Sequence, residues 1–276
     1  MSHRHEWLKM CAYNVLSQKF DGRIAWIVVE DTRDLTTDTD RCDYVVESFN
    51  EITKEHNFKK TGIYQYVDRR ITLGEKRNML LDLANRVKAD FIVWFDDDDV
   101  QSRNRVKDTV EKIIKNPQFE IAGVFEILVF FVDTALIFQY EKSTYPGIGT
   151  VGHRNGLNLK FHELDTTNEE KYYFLDYRVP IYELDQKTIC VINHAMNTVQ
   201  KSPLNCTMWL PQNINSDPYV IEQLSKLIKY DPTKLRFEET LIGQHLKMFQ
   251  GEMKKESNVY KKFGPDALNL LLKGPH

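Results

Sequence analysis

An α/β fold, with a mostly parallel central sheet flanked by helices, is what this 276-residue sequence predicts. Three observations carry that expectation. Ile24 to Val29 (IAWIVV) and Phe91 to Phe95 (FIVWF) are continuous β-rich apolar runs, as strands buried on both faces are. Each run stops abruptly at acids, Glu30-Asp31 and Asp96 to Asp99. Between and after them apolar residues recur at helical spacing, and alternating strands and helices build parallel sheets.

Taken in order, Leu8, Cys11, Val15 and Leu16 predict a first helix over 7–17, ended by the Asp21-Gly22 turn. The strand Ile24 to Val29 follows, then a helical pattern around Tyr44 to His56 and a short strand at Ile63 to Val67. Gly74-Glu75-Lys76-Arg77-Asn78 opens a helix whose apolar face carries Met79, Leu80, Leu83, Ala84 and Val87. That helix leads into the strand Phe91 to Phe95 and the four aspartates. Val106, Val110, Ile113 and Ile114 predict another helix, closed by Asn116-Pro117. Phe119 to Tyr140 reads as two strands, residues 145–156 as a glycine-rich connection, 168–175 as an acidic helix and Thr188 to Ile192 as a last strand before His194. Beyond Pro211 the spacing is helical again, so residues 1–210 form one predicted domain and 211–276 a helical C-terminal extension.

The composition is that of a globular chain, 42% hydrophobic and 28% charged. A formal net charge of -3 and the lack of a basic stripe argue against a nucleic-acid partner. Cys11, Cys42, Cys190 and Cys206 are widely spaced, which suggests neither a zinc site nor a disulfide framework and favours a reducing compartment. The most apolar stretch, Ile127 to Phe138, contains Asp133 and is far shorter than the roughly 20 residues of a bilayer span. No transmembrane segment or secretory signal is expected, and the expected location is cytoplasmic.

Four aspartates directly after an apolar strand repel one another where water is partly excluded. A bound cation relieves that repulsion. Hard divalent ions, Mn²⁺ or Mg²⁺, bind through one or two carboxylates together with substrate phosphates, and a nucleoside diphosphate supplies such oxygens. A solvated loop or a helix N-terminus would also accommodate the acids. Against that plainer reading, Glu30-Asp31, Asp96 to Asp99 and His194 all fall at strand ends, where ligands bind in open α/β sheets.

The segments WIVVEDTRD (26–34), ITLGEKRN (71–78), FIVWFDDDDV with the arginines that follow it (91–105), NEEKYYF (168–174) and VINHAMNT (191–198) together resemble the inverting, family-2-like GT-A glycosyltransferases. The chain is also similar to glycosyltransferases encoded by large DNA viruses of algae, which would put it in a host-cell cytoplasm. The resemblance covers roughly the first 200 residues, and it implies a GT-A-like fold with hexosyl or pentosyl transfer from a nucleotide-diphosphate sugar to a glycan or other hydroxyl acceptor. It implies that Asp31 lies beside the donor base and that Arg77 reaches the base or the phosphates. Asp96 and Asp98 match the two acids of a DxD motif, Asp96 nearer the ribose and Asp98 the direct metal ligand, with His194 approaching the metal or diphosphate. Glu30, Asn78 and Asp97 flank these as further cofactor-binding positions. Glu170, or its neighbour Glu169, stands where the family keeps its catalytic base, although many members have Asp there. The chain also begins almost at its first helix, where the family has a preceding strand.

Two other functions share parts of this pattern. A metal-dependent nucleotidyltransferase also combines a glycine-and-basic segment with aspartates, and a catalytically silent nucleotide-sugar-binding protein could keep the same fold. Metal-dependent breakdown of a donor sugar separates the silent protein from the enzymes.

Overall fold

The computed structural model describes residues 11–31, 60–131, 136–140, 142–164, 173, 180–184, 189–193 and 206–208. Helical residues 11–16 bury Cys11, Ala12, Val15 and Leu16 against Trp26, with Ile24, Val28 and Phe95 packed beside them. Where a helix leaves its last carbonyls unmet, the Lys60 ammonium donates to Leu16 O and, at 3.2 Å, to Gln18 O. Gln18 joins this end of the helix to the acidic loop's far side, donating to Ser102 O at 2.7 Å and accepting from Val106 N–H at 2.9 Å.

Strands β1 (Ile24–Asp31) and β2 (Lys60–Val67) pair in parallel, with Ile24 opposite Lys60 and Asp31 opposite Val67. The pattern at 44–56 lies outside the described residues. Helix α1 (Leu73–Arg86) starts at Thr72, whose hydroxyl accepts from Glu75 N–H at 3.1 Å and donates to Glu163 O. Leu83 of α1 is buried with Val29 and Ile71, so the helix covers β1 and β2. It stops at the Val87 cap, and Lys88 turns the chain with a φ of 54°.

Strand β3 (Phe91–Val93) follows, then β4 (Val100–Gln101) and helix α2 (Arg105–Lys115). The remaining strands are β5 (Ile121–Gly123), β6 (Leu128–Phe131), β7 (Leu136–Tyr140), β8 (Gly152–Arg154), β9 (Ile181–Glu183), β10 (Ile189–Asn193) and β11 (Cys206–Met208). Besides the β1-β2 pair, they form a sheet in the order β3-β8-β5-β9 and another in the order β11-β7-β6-β10-β4.

Among the described residues, β1-β2, β6-β10 and β5-β9 are parallel and the other five strand pairs are antiparallel. The α/β class is as expected, but the strand pairing is mixed and not mostly parallel. The main reason is β8, which inserts between β3 and β5 and runs against both, filling the edge groups of each. Over this sheet Leu81, Trp94, Ile121, Ile148, Val151, Leu159, Phe161 and Tyr173 form one buried cluster. Trp94 of that cluster stands two residues before Asp96. The expected helical extension beyond 211 lies outside the described residues, and among those described no helix is long and apolar enough to cross a membrane.

Candidate active site

Two strand ends and one helix assemble the site. Asp31 is the last residue of β1, Asp96 follows β3, and α1 presents Lys76 and Arg77 in succession. Consecutive helical residues point about 100° apart, so the two cations diverge. The Lys76 ammonium meets Asp31 Oδ1, while Arg77 Nη2 reaches Asp96 Oδ1 at 3.1 Å. One helical turn therefore supplies a cation to the acid at each strand end.

Arg77 is buried, with its guanidinium 5.2 Å from the centre of the Trp94 ring and 5.8 Å from that of Phe161. The flat cation is favourable against those ring faces. Asp96 keeps 37% of its side-chain surface exposed, so its carboxylate joins a buried guanidinium to solvent. On its other side lies Gly149, where a side-chain carbon would stand 2.6 Å from Asp96 Cγ. Only glycine leaves room there for the carboxylate.

The rest of the acidic run divides by position. Asp97 and Asp98 occupy the turn, Asp98 being buried, and Asp99 is held inside the fold. Asp99 Oδ1 accepts from Ile192 N–H at 3.2 Å, and its carbonyl accepts from Asn14 Nδ2 at 2.8 Å. Asp99 thus ties β10 and the first helix to the loop. The carboxylate oxygens of Asp96 and Asp98 are the donor type that a hard divalent cation takes, and one or two suffice when phosphates complete the shell. Among the described residues, no group of three or more His, Cys, Asp or Glu forms a complete metal cage.

The electrostatics follow the same division. Burial alone would raise the Asp31 pKa, but the hydrogen bond and charge of Lys76 and the Ile71 N–H outweigh it and hold the carboxyl below its usual value. The Ile71 N–H reaches Asp31 Oδ2 at 3.1 Å. Cys11 lies under the loop: burial pushes its thiol well up, and the charges of Asp97, Asp96, Asp98 and Asp99 add to the shift. Burial and then Asp99 push Cys190 the same way, so both remain thiols and neither is an activated nucleophile.

The structure thus ties Asp31 to Lys76 and Asp96 to Arg77, successive residues of α1, with Asp97 and Asp98 in the turn that follows Asp96. Arg77 faces Asp96 from within the core, where the resemblance had it reaching the base or the phosphates. Glu30 points to the opposite face of β1 from Asp31, as alternate strand residues must, and accepts from Tyr64 Oη at 2.9 Å. Asn78 is also engaged by protein: its amide donates to Phe161 O at 3.0 Å and accepts from Phe161 N–H at 2.9 Å, which docks α1 on the 157–164 segment. Glu30 and Asn78 are thus each held by a protein partner, Tyr64 and Phe161 respectively. Glu169, Glu170 and His194 lie outside the described residues.

Sequence reasoning missed Gly149 and the Trp94–Phe161 pair around Arg77. The glycines of 145–156 were visible, but nothing local marks which one faces an acid 53 positions earlier. No protein-family model matches the chain, and no curated protein matches it. Among solved structures it is similar to S. aureus TarS 1-349 in complex with UDP-GlcNAc, at 14% identity and a TM-score of 0.47, over 93% of this chain and 72% of that one. At that distance the likeness assigns no residue a role.

Proposed function

We propose that the chain is a metal-dependent inverting glycosyltransferase, which moves a sugar from a nucleotide-diphosphate donor to an acceptor hydroxyl. The observation that carries this reading is the pair of acids that follow β1 and β3, Asp31 and Asp96, each paired with one of two successive cations of one helix. A nucleotide sugar needs polar groups for its base and ribose and a counter-charge for its diphosphate, all within one open strand edge. Asp31 serves the base, Asp96 the ribose side, and Lys76 keeps Asp31 ionised. Arg77 fixes the direction of Asp96 from below.

Mn²⁺ or Mg²⁺ bound through Asp98 and Asp96, with His194 as a further ligand, would neutralise the charge that develops on the diphosphate. The acceptor oxygen bonds to the anomeric carbon as the bond from that carbon to the diphosphate breaks. The diphosphate leaves with the electron pair, and Glu170, or Glu169 beside it, takes the hydroxyl proton.

A thermal-shift series of nucleotide sugars with and without Mn²⁺ tests this, because a ligand that binds only the folded state raises its melting temperature. The expected result is a shift that requires the metal and disappears in Asp31→Ala. A chain stabilised by nucleoside triphosphates alone, with pyrophosphate released on turnover, would be a nucleotidyltransferase. Metal-dependent binding without donor breakdown would mean a silent binding protein.

A further inference from the structure

Arg105 is the first residue of α2 and is completely buried, 0% exposed. Among the described residues no carboxylate forms an ion pair with it. Its guanidinium donates instead to Thr109 Oγ1 and to the carbonyl of Thr150, and Nε has no protein partner. Burial lowers its pKa to about 9 against the opposing charge of Asp108, which leaves it a cation at neutral pH. An unpaired buried charge is destabilising, and an apolar side chain of similar size would pack there at lower cost. Its contribution has to be sought in what it holds.

What it holds is the 3-10 turn Ile148–Thr150. Gln101, also 0% exposed, donates to Gly149 O at 3.3 Å, one residue from the carbonyl held by Arg105. Thr150 Oγ1 donates to Gly147 O at 2.6 Å and accepts from Val124 N–H at 3.3 Å. Val151 O accepts from Trp94 N–H at 2.9 Å, two residues before Asp96. The turn is therefore fastened on three sides, and the face left over is the α-carbon of Gly149, where an added side-chain carbon would collide with Asp96 Oδ2. Gly152 plays the matching part beneath: a side-chain carbon there would stand 2.5 Å from Thr109 Cγ2, so α2 and β8 close up around Arg105's hydroxyl partner.

We infer that Arg105 is a positioning residue for Asp96, acting through the Ile148–Thr150 turn. This rests on the reading of Asp96 as part of the donor site. The carboxylate sits between Arg77 on one side and the turn on the other, and Arg105 with Gln101 sets how far the turn advances. Lysine at 105 keeps the charge but cannot reach both Thr109 and Thr150 with a fixed fork. The turn then relaxes and Asp96 loses its stop.

The test is a double-mutant cycle between Arg105→Lys and Asp96→Asn, with Arg105→Met added if it folds. Binding of UDP, GDP, CDP and ADP, each with Mn²⁺, is measured by calorimetry, and melting temperature is measured in parallel. Arg105→Lys is expected to weaken the best-bound nucleotide about 10-fold in the wild-type background, roughly the worth of one misaligned hydrogen bond. In the Asp96→Asn background the same change should cost less than about 2-fold, since its route runs through the carboxylate. Equal losses in both backgrounds, or no loss in folded Arg105→Lys, overturn the inference. If the wild-type protein binds none of the four nucleotides, it is the donor-site reading that fails. The melting temperatures then decide: non-additive shifts of Arg105→Lys and Asp96→Ala support the coupling through the turn, and additive shifts overturn it.

Discussion

Arg77 Nη2 lies 3.1 Å from Asp96 Oδ1, and its guanidinium lies against the rings of both Trp94 and Phe161. The cation is inside the fold and the anion is at its surface. Replacing the guanidinium removes a charged hydrogen bond and two ring contacts, and it leaves a gap in the cluster that also holds Leu81 and Tyr173.

Arg77→Met is therefore expected to lower stability by about 1–3 kcal/mol, the usual range for losing a hydrogen bond to a charged group. Urea unfolding measures it. Arg77→Lys keeps the charge but loses the flat fit against the rings, so it should recover less than half of the loss. A fully stable Arg77→Met would mean that the pair with Asp96 and the ring contacts contribute nothing net to the fold.

The aspartate run predicts a separation of roles between neighbours. Asp99→Ala removes a buried carboxylate acceptor of the Ile192 N–H, a loss of about 1–3 kcal/mol. Asp98→Ala, in the proposed metal site, should leave the fold intact and abolish Mn²⁺-dependent nucleotide binding. Unfolding curves and calorimetry on the two variants check this together. If Asp99→Ala is the variant that is stable but blind to metal, the two roles are reversed.

Much of this was legible in the sequence where the signal is local. IAWIVV announced β1 and its acidic end, and GEKRN announced α1, because an apolar run and a helical period are both written in neighbouring residues. FIVWF was only partly a strand: Phe91 to Val93 pair with β8, while Trp94 and Phe95 leave the sheet to pack on the two cores flanking the acids. Val87, expected on the apolar face of α1, is the helix cap and is 40% exposed. The antiparallel insertion of β8 and the seat of Asp96 on Gly149 were not legible. Both depend on contacts dozens of residues apart, for which periodicity carries no information. The same limit hid the division of labour among four identical aspartates, which only their partners reveal.

A pH dependence of stability follows from His153. Its Nδ1 lies 2.7 Å from Arg154 O, which can only accept, so Nδ1 carries the proton and Nε2 accepts from Tyr173 Oη at 3.0 Å. Burial lowers its pKa from 6.5 to about 4, the Arg154 carbonyl opposing this only in part. Because the unfolded chain takes up this proton first, the contribution of His153 is complete above pH 6.5. It declines as pH falls towards about 4 and is flat below that. The full excursion corresponds to about 3 kcal/mol. His153→Gln should flatten the stability profile between those two pH values relative to wild type, as read from denaturant midpoints. An unchanged slope would show that His153 is protonated in the fold.

The remaining prediction concerns the proton of the acceptor. A hydroxyl is a poor nucleophile until its proton is removed as the new bond forms, and a positioned carboxylate contributes roughly 10²–10⁴-fold to such a step. In sequence Glu169 and Glu170 shortly precede Tyr173, which is buried, stacked 4.3 Å from Phe161 and bonded to His153. Glu170→Gln preserves shape and hydrogen-bonding reach but cannot accept a proton. Donor affinity measured by calorimetry should stay nearly intact while sugar transfer falls by roughly 10²-fold or more, with Glu169→Gln showing the smaller loss. If Glu169→Gln is instead the inactive variant, the base belongs to that position. If both transfer sugar at normal rates, the segment only caps a helix, and the acceptor proton leaves by another route.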